Sequence, residues 1–350
     1  DDMKSMSVTP PSDKRIAQLI DANLDRAREG LRVMEDWCRF VLKSNDFSIQ
    51  IKDWRQQLGV HHHKIYRKAR LTSNDPAMGV SHPLQKNRST PEAIFIANSS
   101  RVQEALRVIE EFTRTTDPKL SEIASKIRYE TYEIEVKALN IKEGLDKKLI
   151  LKNCSLYLVT ANRTNLKEIV LEALKAGVKI VQYREKFLND HDKVNQAKDL
   201  ASLCKKYNSL FIVNDRIDIA LASDADGIHL GQEDIPTHIA RELIGSEKII
   251  GRSTHCLDDI ENAEKEGCDY IGIGPIFPSE TKKNLNPIGI DYFIKGFNKT
   301  LLPAFAIGGI NSSNINELKK INNLRIAVSD AIINSNDPFS TAEELFELLT

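Results

Sequence analysis

The 350-residue chain has no long hydrophobic run, no CxxC pair and almost no excess of either charge, and each absence closes off a class of function. Its five cysteines, at 38, 154, 204, 256 and 268, are scattered and odd in number, so neither a disulfide framework nor a thiolate metal site is expected. No apolar run approaches the roughly 20 residues needed to cross a bilayer. The opening DDMKSMSVTPPSDK is polar and lacks the apolar core of a secretion signal. Lysine plus arginine number 49 against 50 acids, which argues against a cationic nucleic-acid platform and against an acidic tail. A soluble, cytoplasmic, two-domain protein is expected, with its charge chemistry confined to local clusters.

What is there falls into two halves. Residues 1–140 read as an all-α domain, with apolar side chains three and four apart, as in Leu24, Ala27, Leu31, Met34 and Cys38. This half carries an internal duplication: ANLDRAREGLRVMEDWCR (22–39) returns as ANSSRVQEALRVIEEFTR (97–114). Each copy places arginines and a glutamate on one helix face, Arg32, Glu35 and Arg39 in the first and Arg107, Glu110 and Arg114 in the second. A ladder of charge pairs is the ordinary reading. The sharper one gathers the arginines around an anion, with MGVSHPLQKNRSTP (78–91) closing over it. The histidine run 61–63 lacks metal-ligand helical spacing and reads as surface.

After a charged connector at 141–153, residues 154–350 alternate short β-branched runs with amphipathic segments. Eight strand candidates (155–160, 178–185, 209–215, 226–231, 248–254, 269–277, 302–309 and 323–332), each followed by a helix, give the pattern of a (β/α)8 TIM barrel. A doubly wound open sheet is disfavoured, because no GxGxxG follows the first strand and polar residues end nearly every strand.

In a barrel the C-terminal strand ends share one mouth, so their residues can be read together. The second strand ends in Gln182, Arg184 and Lys186 at alternate positions, the third in Asn214 and Asp215, and the fourth leads through HLGQED to Asp234. The fifth ends in Ser253, Thr254 and His255, and GPIFPSETKK after the sixth supplies Ser279, Thr281 and Lys282. The seventh ends in Gly308 and Gly309, the eighth in Ser329 and Asp330. Cations, two carboxylates, hydroxyls and glycines suit phosphorylated substrates. Arginine forks onto phosphate oxygens, paired carboxylates suit Mg²⁺, and a glycine pair before a helix offers N–H groups to a monophosphate. Each has a plainer alternative: Asp215 and Asp234 as helix caps, the glycines as turn material, and His229 as a satisfied core histidine.

Taken together, QYREK, VND followed by DGIHLGQED, GRSTH, GPIFPSETKK and AIGGI closely resemble the thiamine-phosphate synthase family, over residues 151–350. The resemblance implies an alkyl transferase that joins hydroxymethylpyrimidine diphosphate to hydroxyethylthiazole phosphate, releasing pyrophosphate with Mg²⁺. It implies that Gln182, Tyr183, Arg184, Glu185, Lys186, Asn214, Ser253 and Lys282 surround the pyrimidine diphosphate, and that Arg184, Lys186, Ser253 and Lys282 act in catalysis. Asp215 and Asp234 would ligate the metal. Ser279, Glu280, Thr281, Gly309, Ser329 and Asp330 would meet the thiazole phosphate. Ser279 stands where the family often has threonine, and Asp330 would repel a phosphate.

The helical half resembles an extension fused to this synthase in a long, mainly cyanobacterial form linked to pyrimidine phosphate kinase function. Residues 1–150 contain no P-loop, and no kinase activity is assigned to them. The expected partners are the two small-molecule substrates, with no nucleic acid or membrane, and assembly into a homo-oligomer stays open. A thiazole tautomerase-like barrel and a non-catalytic thiamine-phosphate sensor are the alternatives.

Overall fold

The computed structural model describes residues 11, 13–70, 90–279 and 285–350, in two compact units, Asp1–Lys142 and Glu143–Thr350. The first unit is helical throughout its described residues. Helix α1 (Lys14–Asp36) starts at Asp13, whose carboxylate accepts from the Arg15 amide, and runs into a π-helical turn at Trp37–Val41. Helix α2 (Asn45–Val60) is capped by Ser44 and followed by the single turn α3 (Lys64–Arg67). Helix α4 (Pro91–Thr113) has Thr90 as its cap and proline in its first turn, where a missing N–H costs nothing. Helix α5 (Pro118–Asn153) is helical through 141–153, the stretch expected to be a charged connector.

The duplicated segments lie on α1 and α4, which pack on each other. Gly30 is needed there, since a Cβ at that position would lie 2.6 Å from Val102 Cγ2. The two copies repeat their local bonds: Asn23 Nδ2 donates to the Leu19 carbonyl and Asn98 Nδ2 to that of Ile94, each at 2.8 Å. Leu24, Leu31, Met34, Ile51, Leu58, Tyr66, Phe95, Leu106 and Ile109 form the core of this unit.

The second unit is a closed, all-parallel barrel in the order β1 to β8. Its strands are β1 (Leu156–Val159), β2 (Ile180–Tyr183), β3 (Leu210–Asn214), β4 (Gly227–Leu230), β5 (Ile249–Thr254), β6 (Tyr270–Ile273), β7 (Ala304–Ile307) and β8 (Ile326–Val328). Helices α6 (Leu166–Lys175), α7 (Asp190–Lys206), α8 (Ile217–Ala222), α9 (Thr237–Ile244), α10 (Leu257–Lys265) and α11 (Ile290–Lys299) follow the first six strands. After β8 come α12 (Asp330–Ile333) and α13 (Pro338–Leu349). The expected helix after β7 is a 3-10 turn at Ile315–Leu318. The asparagines of INSSN explain this locally: the Asn314 side chain accepts from the Asn311 amide, and Asn311 Oδ1 accepts from that of Ser313, an alternative to helical pairing.

Register decides which side chains enter the barrel. Val159, Gln182 and Ile212 lie side by side, as do Asn214, His229 and Gly251, and Ser253, Gly272 and Phe305. The lower interior is apolar and aromatic, with Tyr157, Ile180, Leu210, Ile249, Tyr270 and Phe305. The alternate residues Leu158, Val181, Tyr183, Phe211, Ile228 and Ile250 join the layer between barrel and helices. Strand alternation thus leaves Gln182, Asn214, His229 and Ser253 as the polar upper layer.

Candidate active site

A cavity of about 400 Å³ opens at the C-terminal ends of the strands, and Gln182, Arg184, Asn214, His229, Ser253, Ser279, Gly309, Ser329 and Asp330 are among its lining. Below it runs a buried hydrogen-bonded network. Gln182 Nε2 donates to the Tyr157 hydroxyl at 3.0 Å, and the Tyr157 and Tyr270 hydroxyls lie 2.6 Å apart. Tyr270 then meets His229 Nδ1 at 2.9 Å, and His229 Nε2 meets Ser253 Oγ at 2.8 Å. Burial holds both phenols well above the usual tyrosine range, so they stay protonated. An amide nitrogen can only donate, so Tyr157 accepts from Gln182. With His229 neutral, a relay in which Tyr157 donates to Tyr270, Tyr270 to Nδ1 and Nε2–H to Ser253 satisfies every member and leaves the Ser253 hydroxyl proton for the cavity it lines.

Strand β2 ends at Tyr183, so Arg184 and Lys186 belong to the following loop rather than to one strand face. The Arg184 amide is held by Thr160 Oγ1 at 3.0 Å, at the end of β1. Its guanidinium has no ion pair or hydrogen bond among the described residues, yet it lines the cavity and is half-buried. Lys186 is exposed and lies outside the cavity lining, where its Nζ donates to Asp215 Oδ2 at 2.5 Å.

Asp215 has φ of 61°, a left-handed backbone that aspartate tolerates better than most residues. It does not cap α8, whose first turn begins at Ile217 without a side-chain cap. Instead its carboxylate meets Lys186 and Asp234. Burial pushes the Asp215 pKa up, but those bonds outweigh it and the carboxyl is held below its usual range. Burial raises the Asp234 pKa, the Gly231 amide at 2.6 Å opposes this, and the neighbouring Asp215 adds to the rise, leaving it above the usual range. Asp234 closes the 231–234 loop and does not cap α9, which starts at Thr237 after Pro236.

Two residues of the QYREK motif sit elsewhere. Tyr183 faces the helices, donating to Gln196 Oε1 on α7 at 2.8 Å, because alternation turns it opposite to Gln182. Glu185 builds the loop, accepting from the Phe187 and Leu188 amides at 2.5 and 3.1 Å and from Asn162 Nδ2 at 2.9 Å. Gly309 is required for close approach, since a Cβ there would fall 2.3 Å from the Pro278 carbonyl. With only a 3-10 turn beyond it, the expected helix dipole at Gly308-Gly309 is absent. Ser329 Oγ, on the cavity wall, is buried without a hydrogen-bond partner among the described residues, and Asp330 is exposed. Glu280, Thr281 and Lys282 lie outside the described residues, as does 78–89 of the segment expected to close over the arginines.

Two polar lining residues, His229 and Asn311, escaped the sequence reading as site candidates, and His255, read at the mouth from its strand end, was given no role. His229 is the core histidine expected, but its polar inward neighbours, two residues apart on each strand, were the signal that it faces a site. His255 Nδ1 donates to the Gly274 carbonyl at 2.7 Å, and Asn311 follows the glycine pair in sequence.

Residues 156–332 match the family model for thiamine monophosphate synthase, and residues 18–137 match that of the ThiD2 family. A thiamine-phosphate synthase from Prochlorococcus marinus is 56% identical over 342 residues, covering 97% of this chain and 98% of that protein. The chain belongs to the thiamine-phosphate synthase family. One from a Synechococcus species is 48% identical over 353 residues, covering 99% of this chain and 100% of that protein. A solved thiamine phosphate pyrophosphorylase from Pyrococcus furiosus is 37% identical with a TM-score of 0.52, covering 59% of this chain and 97% of its own. This is an enzyme family of thiamine biosynthesis, and its long form combines the barrel with the helical region matched here. Two half-buried neighbouring carboxylates, flanked by a cation, make a donor set that fits the Mg²⁺ implied by this family.

In the helical unit the arginines follow the ladder reading. Arg32 pairs with Glu35 and Asp36, and Arg107 with Glu110 and Glu111, each along its own helix. Arg114 also pairs with Glu110 and Glu111. Arg39 lies over the Phe40 ring. The histidine run corrects the surface reading: His62 is buried and its Nε2 lies 2.6 Å from Asp21 Oδ1.

Proposed function

We propose that this chain condenses 4-amino-2-methyl-5-(diphosphomethyl)pyrimidine with 4-methyl-5-(2-phosphoethyl)thiazole to give thiamine phosphate and pyrophosphate. The observation that carries the reading is the Arg184 guanidinium, unpaired among the described residues and half-buried beside Gln182, Asn214 and Ser253 in one cavity. A cation left without a carboxylate in a partly dry cleft calls for an anionic ligand. Arg184 forks onto the diphosphate oxygens, the Gln182 and Asn214 amides donate to it, and Ser253 adds a hydroxyl oriented through His229. Asp215 and Asp234 would hold Mg²⁺, which when bound supplies further neutralisation of the leaving charge. Lys186 beside Asp215 adds positive charge near the same carboxylates, and the family motif assigns Lys282, outside the described residues, to the same diphosphate.

With that charge spread, the bond between the pyrimidine methylene and the diphosphate oxygen breaks, and its electron pair leaves on pyrophosphate. The electron-rich aminopyrimidine stabilises the carbon cation until the thiazole nitrogen lone pair forms the new C–N bond. The chain's contribution is positioning and electrostatics, with no covalent enzyme intermediate. Ser279, Gly309, Ser329 and Asp330, which line the cavity, meet the thiazole phosphate, and the family motif adds Glu280 and Thr281 from outside the described residues. The buried Ser329 hydroxyl, unpartnered among the described residues, supports a phosphate oxygen there, while Asp330 is the member least suited to one.

Incubating both purified substrates with the chain and Mg²⁺ should release pyrophosphate and thiamine phosphate in equal amounts. Chelation should stop the reaction, and Lys186→Ala or Asp215→Ala should cripple turnover with the fold intact. Absence of product would favour a thiamine-phosphate sensor, and activity insensitive to EDTA a tautomerase-like barrel.

A further inference from the structure

The helical unit holds a second polar cluster, built from the turn between α2 and α3 and the start of α5. One ring nitrogen each of His61 and His63 and a carboxylate oxygen of Asp117 all lie within 4.8 Å of one another. His61 is the residue at the C-terminal end of α2, His63 precedes α3, and Asp117 precedes α5. The intervening His62 turns to Asp21, 2.6 Å away, so the histidines on either side of it share the approach to Asp117.

The cluster is unsatisfied as it stands. His61 Nδ1 and His63 Nε2 are buried atoms without a hydrogen-bond partner among the described residues, and the His63 nitrogen sits 3.6 Å from Asp117 Oδ2. Leaving two imidazole nitrogens dry and unbonded costs free energy that a ligand would recover. Asp117 is fixed from behind: Tyr66 donates to its Oδ2 at 3.2 Å and the Leu120 amide to its Oδ1 at 3.2 Å. Such outer bonds orient a metal-ligating carboxylate.

We infer that His61, His63 and Asp117 form a binding site for a borderline divalent metal of the zinc type. Two imidazoles and one carboxylate are a donor set that zinc, cobalt or iron prefers and that Mg²⁺, which seeks oxygen, does not. Mutual separations within 4.8 Å require the three ligands to draw in modestly around bonds of about 2.0–2.2 Å. Three protein ligands leave at least one position for water or a small ligand, and the 35% exposure of the His63 side chain puts the cluster next to solvent. The site is separate from the oxygen-rich barrel rim in both residues and ligand chemistry.

The test uses the full chain without a polyhistidine tag, dialysed against Zn²⁺ in excess Mg²⁺, with bound zinc measured by elemental analysis. One tightly held equivalent is expected, with affinity falling at least tenfold in His61→Gln and in His63→Gln. Binding of Co²⁺ should produce visible d–d absorption that Zn²⁺ displaces. Zinc-edge absorption spectra of the unaltered protein should show imidazole scattering, so the proposal stays testable if the variants misfold. Far-UV circular dichroism identifies any misfolded variant. No retained zinc, folded variants that keep wild-type affinity, or a spectrum without imidazole would each overturn the assignment. Because the readout is metal binding, failure here leaves the synthase reaction untouched, and an inactive barrel leaves this site untouched.

Discussion

The two units use the same residue types to opposite ends. In the helical unit Arg32, Arg107 and Arg114 are each matched by carboxylates on their own helix, and Glu35 and Glu110 each take a further arginine, Arg55 and Arg128, from another helix. At the barrel mouth Arg184 has no such match among the described residues, while two aspartates are left to face each other. An arginine neutralised along its own helix is scaffold; an arginine held half-buried and unmatched among the described residues is poised for a ligand. Residue identity alone does not separate the two cases, and pairing does.

The widest gap between the units should appear in activity. Arg184→Ala should lower kcat/KM by about a hundredfold or more, as expected for removal of a charge that meets the leaving group. Arg107→Ala should leave turnover unchanged, and steady-state rates of the two variants give the comparison directly. Stability should show the reverse asymmetry. Glu110→Gln strips the partner from the nearly buried Arg128 and should cost the helical unit about 2–3 kcal/mol in urea unfolding, whereas the exposed Arg107 pair is worth about 0.5 kcal/mol. His229→Leu should come next, lowering kcat about tenfold by releasing the Ser253 hydroxyl from its orientation. Measuring kcat against KM separates that effect from lost substrate binding.

Acid should then sharpen the contrast. Asp234 is held above the ordinary carboxyl range, so it protonates before a normal aspartate as pH falls, and the Mg²⁺ concentration for half-maximal rate should rise toward acid. Asp21 behaves oppositely. Burial raises its pKa, but hydrogen bonds from Arg70 and His62 bring it below the ordinary value of 3.8. The stability it contributes is fully present above that value and lost only as pH drops through its depressed folded pKa. Titrating the metal dependence and the urea midpoint over the same pH series checks both signs. Tyr183→Phe should have the smallest consequence, about 1 kcal/mol or less of stability from the bond to Gln196, with no change in kcat.

How much of this was legible follows from how local each determinant is. The barrel could be read because eight β-branched runs and their polar endings are properties of short segments. Gln182, Asn214 and Ser253 could be placed because period-two alternation carries them inward. The same alternation excludes Tyr183, which a motif taken whole had included, and the strand's end at Tyr183 turns Arg184 and Lys186 into loop residues. The environment of His62 was hidden because its partner Asp21 is 41 residues away, a pairing that only packing creates. The helix dipole expected after Gly309 failed for a local reason that was readable: asparagine side chains compete for the backbone there.

The left-handed backbone at Asp215 has a consequence for anyone redesigning this rim. Glutamate keeps the charge but, unlike aspartate and asparagine, gains no local side-chain bonding to offset a conformation that costs ordinary L-residues roughly 1–2 kcal/mol. The main chain therefore narrows the choice to short side chains before any chemistry is weighed, and of those only one is an acid. Extending the reach of that group by a single methylene would mean rebuilding the turn.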